Sequence, residues 1–511
     1  MSDSPGPRSE PPSTPVAAVV VLAAGGGTRM KSTRSKLLHE LAGHSMLSYA
    51  LTAATAVQPE QIVVVVGHQR EQVEAHLTDI APHVTTAIQG EEAYGTGYAV
   101  QCGLADLSEL SGEVVVTMAD VPMLRGETLV ELIATHRSRQ AAITVLTARV
   151  DNPTGYGRVV READDLVSQI VEHKDATSDQ LKIDEINSGI YVFDADTLRD
   201  GLSRITADNA SNELMLTDVI GVARRMGKTV GAHLIDDLWQ TEGINDRVQL
   251  ARMNAEMNRR TLEGWMRSGV TIVDPASTWV HASVDLGADV TLLPGTSLEG
   301  ATSVAPGATI GPETTLVDVE VGEAATVTRT HGSLSVIGAG ASVGPFAYLR
   351  PGTVLGAGGK IGTFVETKNA QIGPGAKVPH LTYAGDAVID EGANIGAGTI
   401  FANYDGLTKS TTTVGAHSFV GSNSVLVAPV NVGDGAYVAA GSGVTSDIAP
   451  GELGVARGTQ RNIKGWVARK RANTASARAA ERAVKQAVEQ AGEQAGHQPG
   501  ANHAEPNEEQ A

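Results

Sequence analysis

Between Gly269 and about residue 470 the chain keeps a six-residue step that few folds can satisfy. Ile337, Val343, Leu349, Leu355 and Ile361 are each six apart, and Val414, Val420, Leu426, Val432, Val438 and Val444 repeat the spacing. Shorter runs (Val284, Val290; Val304, Ile310, Leu316; Ile389, Ile395) share it. Glycine often follows the aliphatic residue directly, as at Gly311, Gly338, Gly344, Gly356 and Gly415. A six-residue unit matches one flat side of a triangular coil: a short strand, an inward aliphatic, then a corner where glycine permits φ > 0. Eighteen residues then make one coil. Aromatic residues are only 4% of the chain, in keeping with a narrow prism that has no room for rings. The step breaks in two places, eleven residues from Val378 to Ile389 and nineteen from Ile395 to Val414. The segments PHLTYAGDA and FANYDGLTKSTTT must leave the wall there as loops or bulges, carrying His380, Tyr383, Asn403, Tyr404 and Lys409. Function concentrates on such departures from a rigid scaffold.

The preceding part is of another kind. Val16–Leu22, Ile62–Val66, Glu113–Met118 and Ala142–Thr147 are short β-branched runs with helical stretches between them, which predicts a mostly parallel α/β sheet. Leu22-Ala23-Ala24-Gly25-Gly26-Gly27-Thr28-Arg29 follows the first run, with Lys36 beyond it. A strand feeding a glycine-rich loop lets backbone N–H groups approach a phosphate, and the two cations can neutralise its charge. The spacing is neither the dinucleotide fingerprint nor a P-loop. Asp120 closes the run ending at Met118, where open α/β sheets place ligand groups, and a carboxylate there suits Mg²⁺. As a bare turn or helix cap Asp120 would need no ligand. Gly95-Thr96-Gly97 and the loop Asn152–Arg158 offer further backbone approaches. Val248, Met253, Met257 and Leu262 recur near helical spacing, so one helix is expected to connect the halves. The expected division is a disordered tail (1–15), a nucleotide-binding domain (16–243), a linker helix (244–268), the coil domain (269–470) and a mostly disordered tail (471–511) with a short helix at Ala477–Gln490.

Lys and Arg number 39 and Asp and Glu 58, a net charge of −19, which argues against nucleic-acid and membrane-surface partners. The single cysteine, Cys102, excludes an intramolecular disulfide and a Cys-cluster metal site. The apolar run Val16–Ala24 is too short to span a bilayer and lacks the basic flank of a signal peptide, so a cytoplasmic location is expected.

The motifs LAAGGGTRM with Lys36, GTG, MADVP, NPTGYGR, VEHKDA, EINSG and TEGIND occur in the order seen in nucleotide-sugar pyrophosphorylases. With the hexapeptides added, the chain from about Val16 to Lys470 resembles the bifunctional N-acetylglucosamine-1-phosphate uridyltransferase / glucosamine-1-phosphate acetyltransferase family. The resemblance implies a Rossmann-like nucleotidyltransferase domain followed by a left-handed parallel β-helix. It implies uridylyl transfer from UTP to N-acetylglucosamine 1-phosphate in the first half, with Leu22, Ala23, Ala24 and Gly25 at the uridine, Arg29 and Lys36 at the phosphates, and Gln89, Gly95 and Thr96 at the uracil side. It places Mg²⁺ on Asp120 and Asn245 and the sugar on Gly157, Glu172 and Asn187. In the second half it implies acetyl transfer from acetyl-CoA to glucosamine 1-phosphate, with His380 as general base. Arg350, Lys368, Tyr383 and Asn394 would hold the acceptor, and Ala397, Asn403, Tyr404, Lys409, Ser422, Ala440 and Arg457 the acetyl-CoA. A homotrimer is implied, with acyl sites between chains. The chain departs from the family pattern at three points: Gln89 lies six rather than five residues before Gly95, Tyr98 replaces the usual His after GTG, and Asn209–Asp218 differs enough that Glu213 and Thr217 are left unassigned.

Three other readings stand beside this one, the last of them a purely structural β-helix joined to an unrelated nucleotide-binding module. In the first, the chain is a single-function sugar-phosphate nucleotidyltransferase whose β-helix only trimerises. In the second, zinc sits on the β-helix through His281, His331, His380 or His417.

Overall fold

The first strand shows how the amino-terminal half is organised. Ala18–Ala23 is buried throughout, with Val19, Val21 and Ala23 in one apolar layer and Ala18, Val20 and Leu22 in another. Successive strand side chains point to opposite faces, so an unbroken apolar run requires a covered sheet on both sides. In the computed structural model, which describes residues 15–107, 110–162 and 165–495, that sheet runs in the order Val230–Ile235, Ile143–Arg149, Glu185–Asp194, Glu113–Met118, Ala18–Ala23, Gln61–Val66, Thr85–Ile88. Only Glu185–Asp194 along this path is antiparallel to its neighbours. The hairpin Arg158–Arg161/Val167–Val171 attaches beside it. The four strands expected from the sequence are all present.

The connecting helix is Arg247–Arg267, capped by Asp246, whose carboxylate accepts from the N–H groups of Val248 and Gln249. Met253 and Leu262 are buried as the periodicity predicts, but Val248 is 78% exposed, because it lies on the first, outward turn. Asn258 fixes this helix to the first coil: its amide donates to Thr278 O and accepts from Val280 N at 2.8 and 3.0 Å. Arg260 grips Asp237 of the amino-terminal domain at 2.7 and 2.8 Å. Leu262 and Trp265 then join the apolar column inside the coils, closing what would be an open solenoid end.

From Thr271 to Gly454 the chain is a parallel β-helix, its inward aliphatics forming one continuous core. Ladder partners are 18 residues apart at Thr291↔Thr309 and Phe419↔Tyr437. They are 17 apart at Lys360↔Lys377, Lys377↔Asn394 and Tyr383↔Ile400. Coils are also short at Thr309↔Thr326 (17) and Thr326↔Ser342 (16). The regular step is therefore broken in more places than the two expected. Asp318, Leu334, Asn369 and Asp386 lie inside strands that run on around a corner in these coils, each with φ between 45 and 54°; Asn and Asp tolerate that conformation best. The long break has the opposite cause. Asn394↔Phe419 spans 25 residues because a loop after Asn403 projects from the wall, pinned by a Tyr404↔Lys409 bridge and by Ser410 N donating to Asn403 O at 2.9 Å.

One ring does enter the prism. Phe401 is fully buried among the core aliphatics, and the residue beneath it in the ladder is the small Ala384, which leaves the volume that the expectation of a ring-free core overlooked. The remaining residues form a second compact unit from Val455 onward, containing helices Trp466–Lys470 and Ala475–Ala495, the latter longer than the expected Ala477–Gln490. The disorder expected before residue 15 and after residue 495 falls outside the described residues. We predict that Phe401→Ala lowers stability by about 3–5 kcal/mol and Phe401→Leu by less than half of that, measured by urea denaturation of the full chain.

Candidate functional site

The carboxyl ends of the central parallel strands open into a cavity of about 1000 Å³. Its walls include Leu22, Ala23, Ala24, Gly25, Lys36, Gln89, Gly95, Thr96 and Asp120, so eight of the expected nucleotide residues and one expected metal ligand converge on one space. Lys36 Nζ donates to Asp120 Oδ2 at 2.6 Å and to Asn245 Oδ1 at 2.9 Å. Two oxygen donors thus already face one cation, which is the donor chemistry a hard divalent ion needs when phosphates supply its other ligands. Asp120 and Asn245 fit Mg²⁺ on this ground. Arg29 is exposed on the turn Thr28–Met30, without a hydrogen bond or ion pair among the described residues. The one-residue shift of Gln89 is absorbed by the loop Gly90–Tyr94: Gln89 still reaches the wall, its amide 3.5 Å from Gly95 O. Tyr98, at the family's usual His position, donates to Glu92 Oε2 of that loop at 2.7 Å.

Gly157, Glu172 and Asn187 form a second cluster. A Cβ on Gly157 would lie 3.4 Å from Glu172 Oε1 and 3.5 Å from Asn187 Cβ, so the bare backbone lets three strands' ends meet. Asn187 sits at a bulge in the strand Glu185–Asp194, its Oδ1 accepting from Tyr191 OH and Gly189 N at 2.9 and 3.1 Å. Burial, partly offset by a hydrogen bond from Thr217, raises the Glu172 carboxyl above its ordinary range. The segment left unassigned from sequence is what joins the clusters. Glu213 lines the cavity, Gly97 N donates to Leu214 O at 2.8 Å, Leu216 N donates to Thr96 Oγ1 at 3.1 Å, and Thr217 bonds Glu172. Gly95 is held at φ 111°, and a Cβ there would strike Leu214 O at 2.3 Å. The missed signal lay in these contacts across more than a hundred residues, invisible to local pattern.

On the β-helix, coil register makes the site. His380, Ala397, Ser422 and Ala440 each follow by three residues the ladder partners Lys377, Asn394, Phe419 and Tyr437, so the four stack in one column at one corner. Gly398 N donates to His380 O at 3.2 Å, Asn423 N to Ala397 O and Gly441 N to Ser422 O. Above His380 the column carries only the small side chains of Ala397, Ser422 and Ala440. His380 is exposed, and its imidazole has no hydrogen bond among the described residues. On the adjoining side Arg350 pairs with Glu366 at 3.0 Å and Lys368 lies 3.9 Å from Asp386. Tyr383 bends so that its hydroxyl occupies the space a Cβ on Gly385 would need. Asn394 occupies the strand leading to Ala397.

Asp386, unassigned from sequence, organises this side. It accepts from Asn369 Nδ2 at 2.9 Å and from Asn403 Nδ2 at 2.5 Å. Burial opposes its ionisation, but those hydrogen bonds and the charges of Lys368 and Lys409 outweigh it and hold the carboxyl below its usual range. The signal was its place at a corner that takes a left-handed residue. Tyr404 and Lys409 are exposed on the projecting loop. Arg457 belongs to the second unit and is exposed there. Among the described residues no cluster of three or more His, Cys, Asp and Glu could hold a metal, and no helix is long and apolar enough to cross a membrane.

Residues 19–177 match the MobA-like NTP transferase domain family. This defines a nucleotidyltransferase domain joined to a β-helix of hexapeptide coils. The chain is 55% identical to the bifunctional protein GlmU of Corynebacterium jeikeium over 90% of its own length and 95% of that protein's. It is equally similar to those of Pseudarthrobacter chlorophenolicus (55%; 92% and 96%) and Rhodococcus opacus (55%; 91% and 94%). A solved UDP-glucose pyrophosphorylase complexed with UDP-glucose covers 48% of this chain and 99% of its own at 16% identity and TM-score 0.39; the sequence relatives carry the assignment. The chain belongs to the bifunctional GlmU family.

Because burial raises the Glu172 carboxyl, its ionised form costs stability in the fold. Wild-type stability from this group is fully present below the unfolded glutamate pKa and is lost as pH rises through the higher folded value. Glu172→Gln is therefore expected to raise Tm at pH 7–8, the gain vanishing below about pH 4.3; calorimetry across that range checks it.

Proposed function

We propose that the cavity and the column carry out successive steps at the residues named above. The chain is a bifunctional enzyme of UDP-N-acetylglucosamine synthesis: it acetylates glucosamine 1-phosphate with acetyl-CoA, then transfers UMP from UTP to N-acetylglucosamine 1-phosphate and releases pyrophosphate, with Mg²⁺ as the metal.

In the first half Gly157, Glu172 and Asn187 hold the sugar, so that its phosphate attacks the α-phosphorus in line. Leu22, Ala23, Ala24 and Gly25 line the nucleoside, and Gln89, Gly95 and Thr96 read the base. Lys36 and Arg29 neutralise phosphate charge; Asp120 and Asn245 would hold Mg²⁺, which would supply further charge neutralisation. Positioning and charge neutralisation suffice, since the reaction needs no covalent nucleophile. In the second half Arg350 and Lys368 bind the acceptor's phosphate and Tyr383 and Asn394 its sugar. His380 takes the proton lost by the amine as it attacks the thioester carbonyl; the C–S bond then breaks and CoA leaves as its thiolate, which takes up a proton to give the free thiol. Ala397, Asn403, Tyr404, Lys409, Ser422 and Ala440 line the acetyl-CoA groove. The observation that carries this reading is the stacking of His380, Ala397, Ser422 and Ala440 in one column beside two cations.

The working unit is a cytoplasmic homotrimer with no nucleic-acid or membrane partner. Supporting the trimer, Phe346 and Phe364 stack at 5.4 Å on the corner that continues to Leu381, next to His380, and all three are more than half exposed. An apolar strip of this kind calls for a cover, and a second copy supplies it.

Mass spectrometry of a mixture of protein, glucosamine 1-phosphate, acetyl-CoA, UTP and Mg²⁺ tests the division of labour. UDP-N-acetylglucosamine should form only in the complete mixture, and N-acetylglucosamine 1-phosphate without UTP. A UDP-sugar made equally well without acetyl-CoA would make the β-helix structural. His380→Ala should cut acetyl transfer by about 10²–10⁴-fold and spare uridylyl transfer, and Asp120→Ala should do the reverse. Phe364→Glu should shift the sizing profile toward monomer and abolish acetyl transfer alone.

A further inference from the structure

Arg158 is buried to within 1% of its surface, and it heads the fully buried side chains in volume. No carboxylate lies within ion-pair distance of it among the described residues, whereas Arg161 on the same strand grips Glu185 at 2.6 Å and Arg224 grips Glu162 at 2.6 Å. Its NH1 donates to Tyr156 O, its NH2 to His173 Nδ1 at 3.3 Å, and its Nε is buried without a partner. A buried cation without a counter-charge is costly, and an apolar side chain of the same length fills such a space at no desolvation cost. Stability therefore does not explain the residue.

Its placement does. The hairpin strands pair at Arg158↔Val171 and part just beyond, toward Gly157 and Glu172. Tyr156 precedes Gly157 and His173 follows Glu172, so the guanidinium ties the Tyr156 carbonyl to the His173 imidazole on either side of the Gly157–Glu172 contact. A planar fork can reach two acceptors in fixed geometry; a lysine ammonium on a flexible stem cannot. We infer that Arg158 is a positioning residue for the sugar-phosphate substrate, setting the gap between Gly157 and Glu172 through Tyr156 O and His173 Nδ1. This rests on the reading that Gly157, Glu172 and Asn187 hold that sugar.

Steady-state uridylyl transfer by the full-length enzyme tests it, with acetyl transfer as the internal control for folding. Arg158→Met should raise KM for N-acetylglucosamine 1-phosphate about tenfold, with KM for UTP and kcat within about twofold and Tm unchanged or higher. Arg158→Lys should behave like Arg158→Met. His173→Asn, whose Oδ1 can replace Nδ1 as acceptor, should stay near wild type, while His173→Leu should reproduce the KM increase; this pair decides the question even if the Arg158 variants fold poorly. A sugar-phosphate KM unchanged in Arg158→Met and His173→Leu, or a parallel rise in KM for UTP, overturns the inference. Asn187→Ala separates the two levels. If it raises the sugar-phosphate KM while Arg158→Met does not, the sugar site stands and the role of Arg158 falls. If neither moves it, both are wrong.

Discussion

Each coil of the β-helix must return to a position directly above the coil before it, because the buried N–H and C=O groups of every flat side have only the neighbouring coil as partner. The inward aliphatics then stack into a single column from Leu262 to Ile448. Flat sides cannot change length without breaking that register, so every irregularity is exported to a corner. The corners take single left-handed residues such as Asn369 and Asp386 where a coil is short, and the loop after Asn403 where one is long. Asp386 and Asn403 meet for this reason: one closes a tightened corner, the other opens a projecting loop a coil later. The acetyl-transfer chemistry occupies the places where the scaffold had freedom.

The amino-terminal half obeys the same division with other parts. The central strands of its sheet are buried on both faces, and the cavity opens past their carboxyl ends, where Gly25, Gly67, Gln89 and Asp120 line it. The stretch from Glu213 to Thr217 crosses this edge and touches both the nucleotide side, at Thr96, and the sugar side, at Glu172. Lys36 spans the remaining gap by bridging Asp120 and Asn245.

What could be read in the sequence was what repeats over short distances. The six-residue step, the four central strands and the connecting helix are local patterns, and the motif loops mark the edges where ligands bind. What escaped depends on neighbours far along the chain. Phe401 lies inside the prism with the small Ala384, seventeen residues earlier, at the matching position one coil below. Val248 keeps the helical period yet faces solvent, while Arg247 beside it reaches Met30 O. Asp386 stands in a recognised motif, but its importance comes from Asn369 and Asn403 on adjacent coils. Arg158 reads as one more polar residue in a turn until its burial is known. The short coils between Thr309 and Ser342 were masked because aliphatics at nearby spacings hide a missing residue.

The register of the coils also sets which changes of gene length this protein can survive. One codon gained or lost at a corner alters only the turn, as the coils of 16, 17, 18 and 25 residues attest. The same codon inserted in a flat side turns every following side chain of that strand over, putting aliphatics outside and polar groups inside. Natural insertions and deletions in such genes should therefore fall at roughly six-codon intervals, and a map of them would trace the prism's edges without a structure.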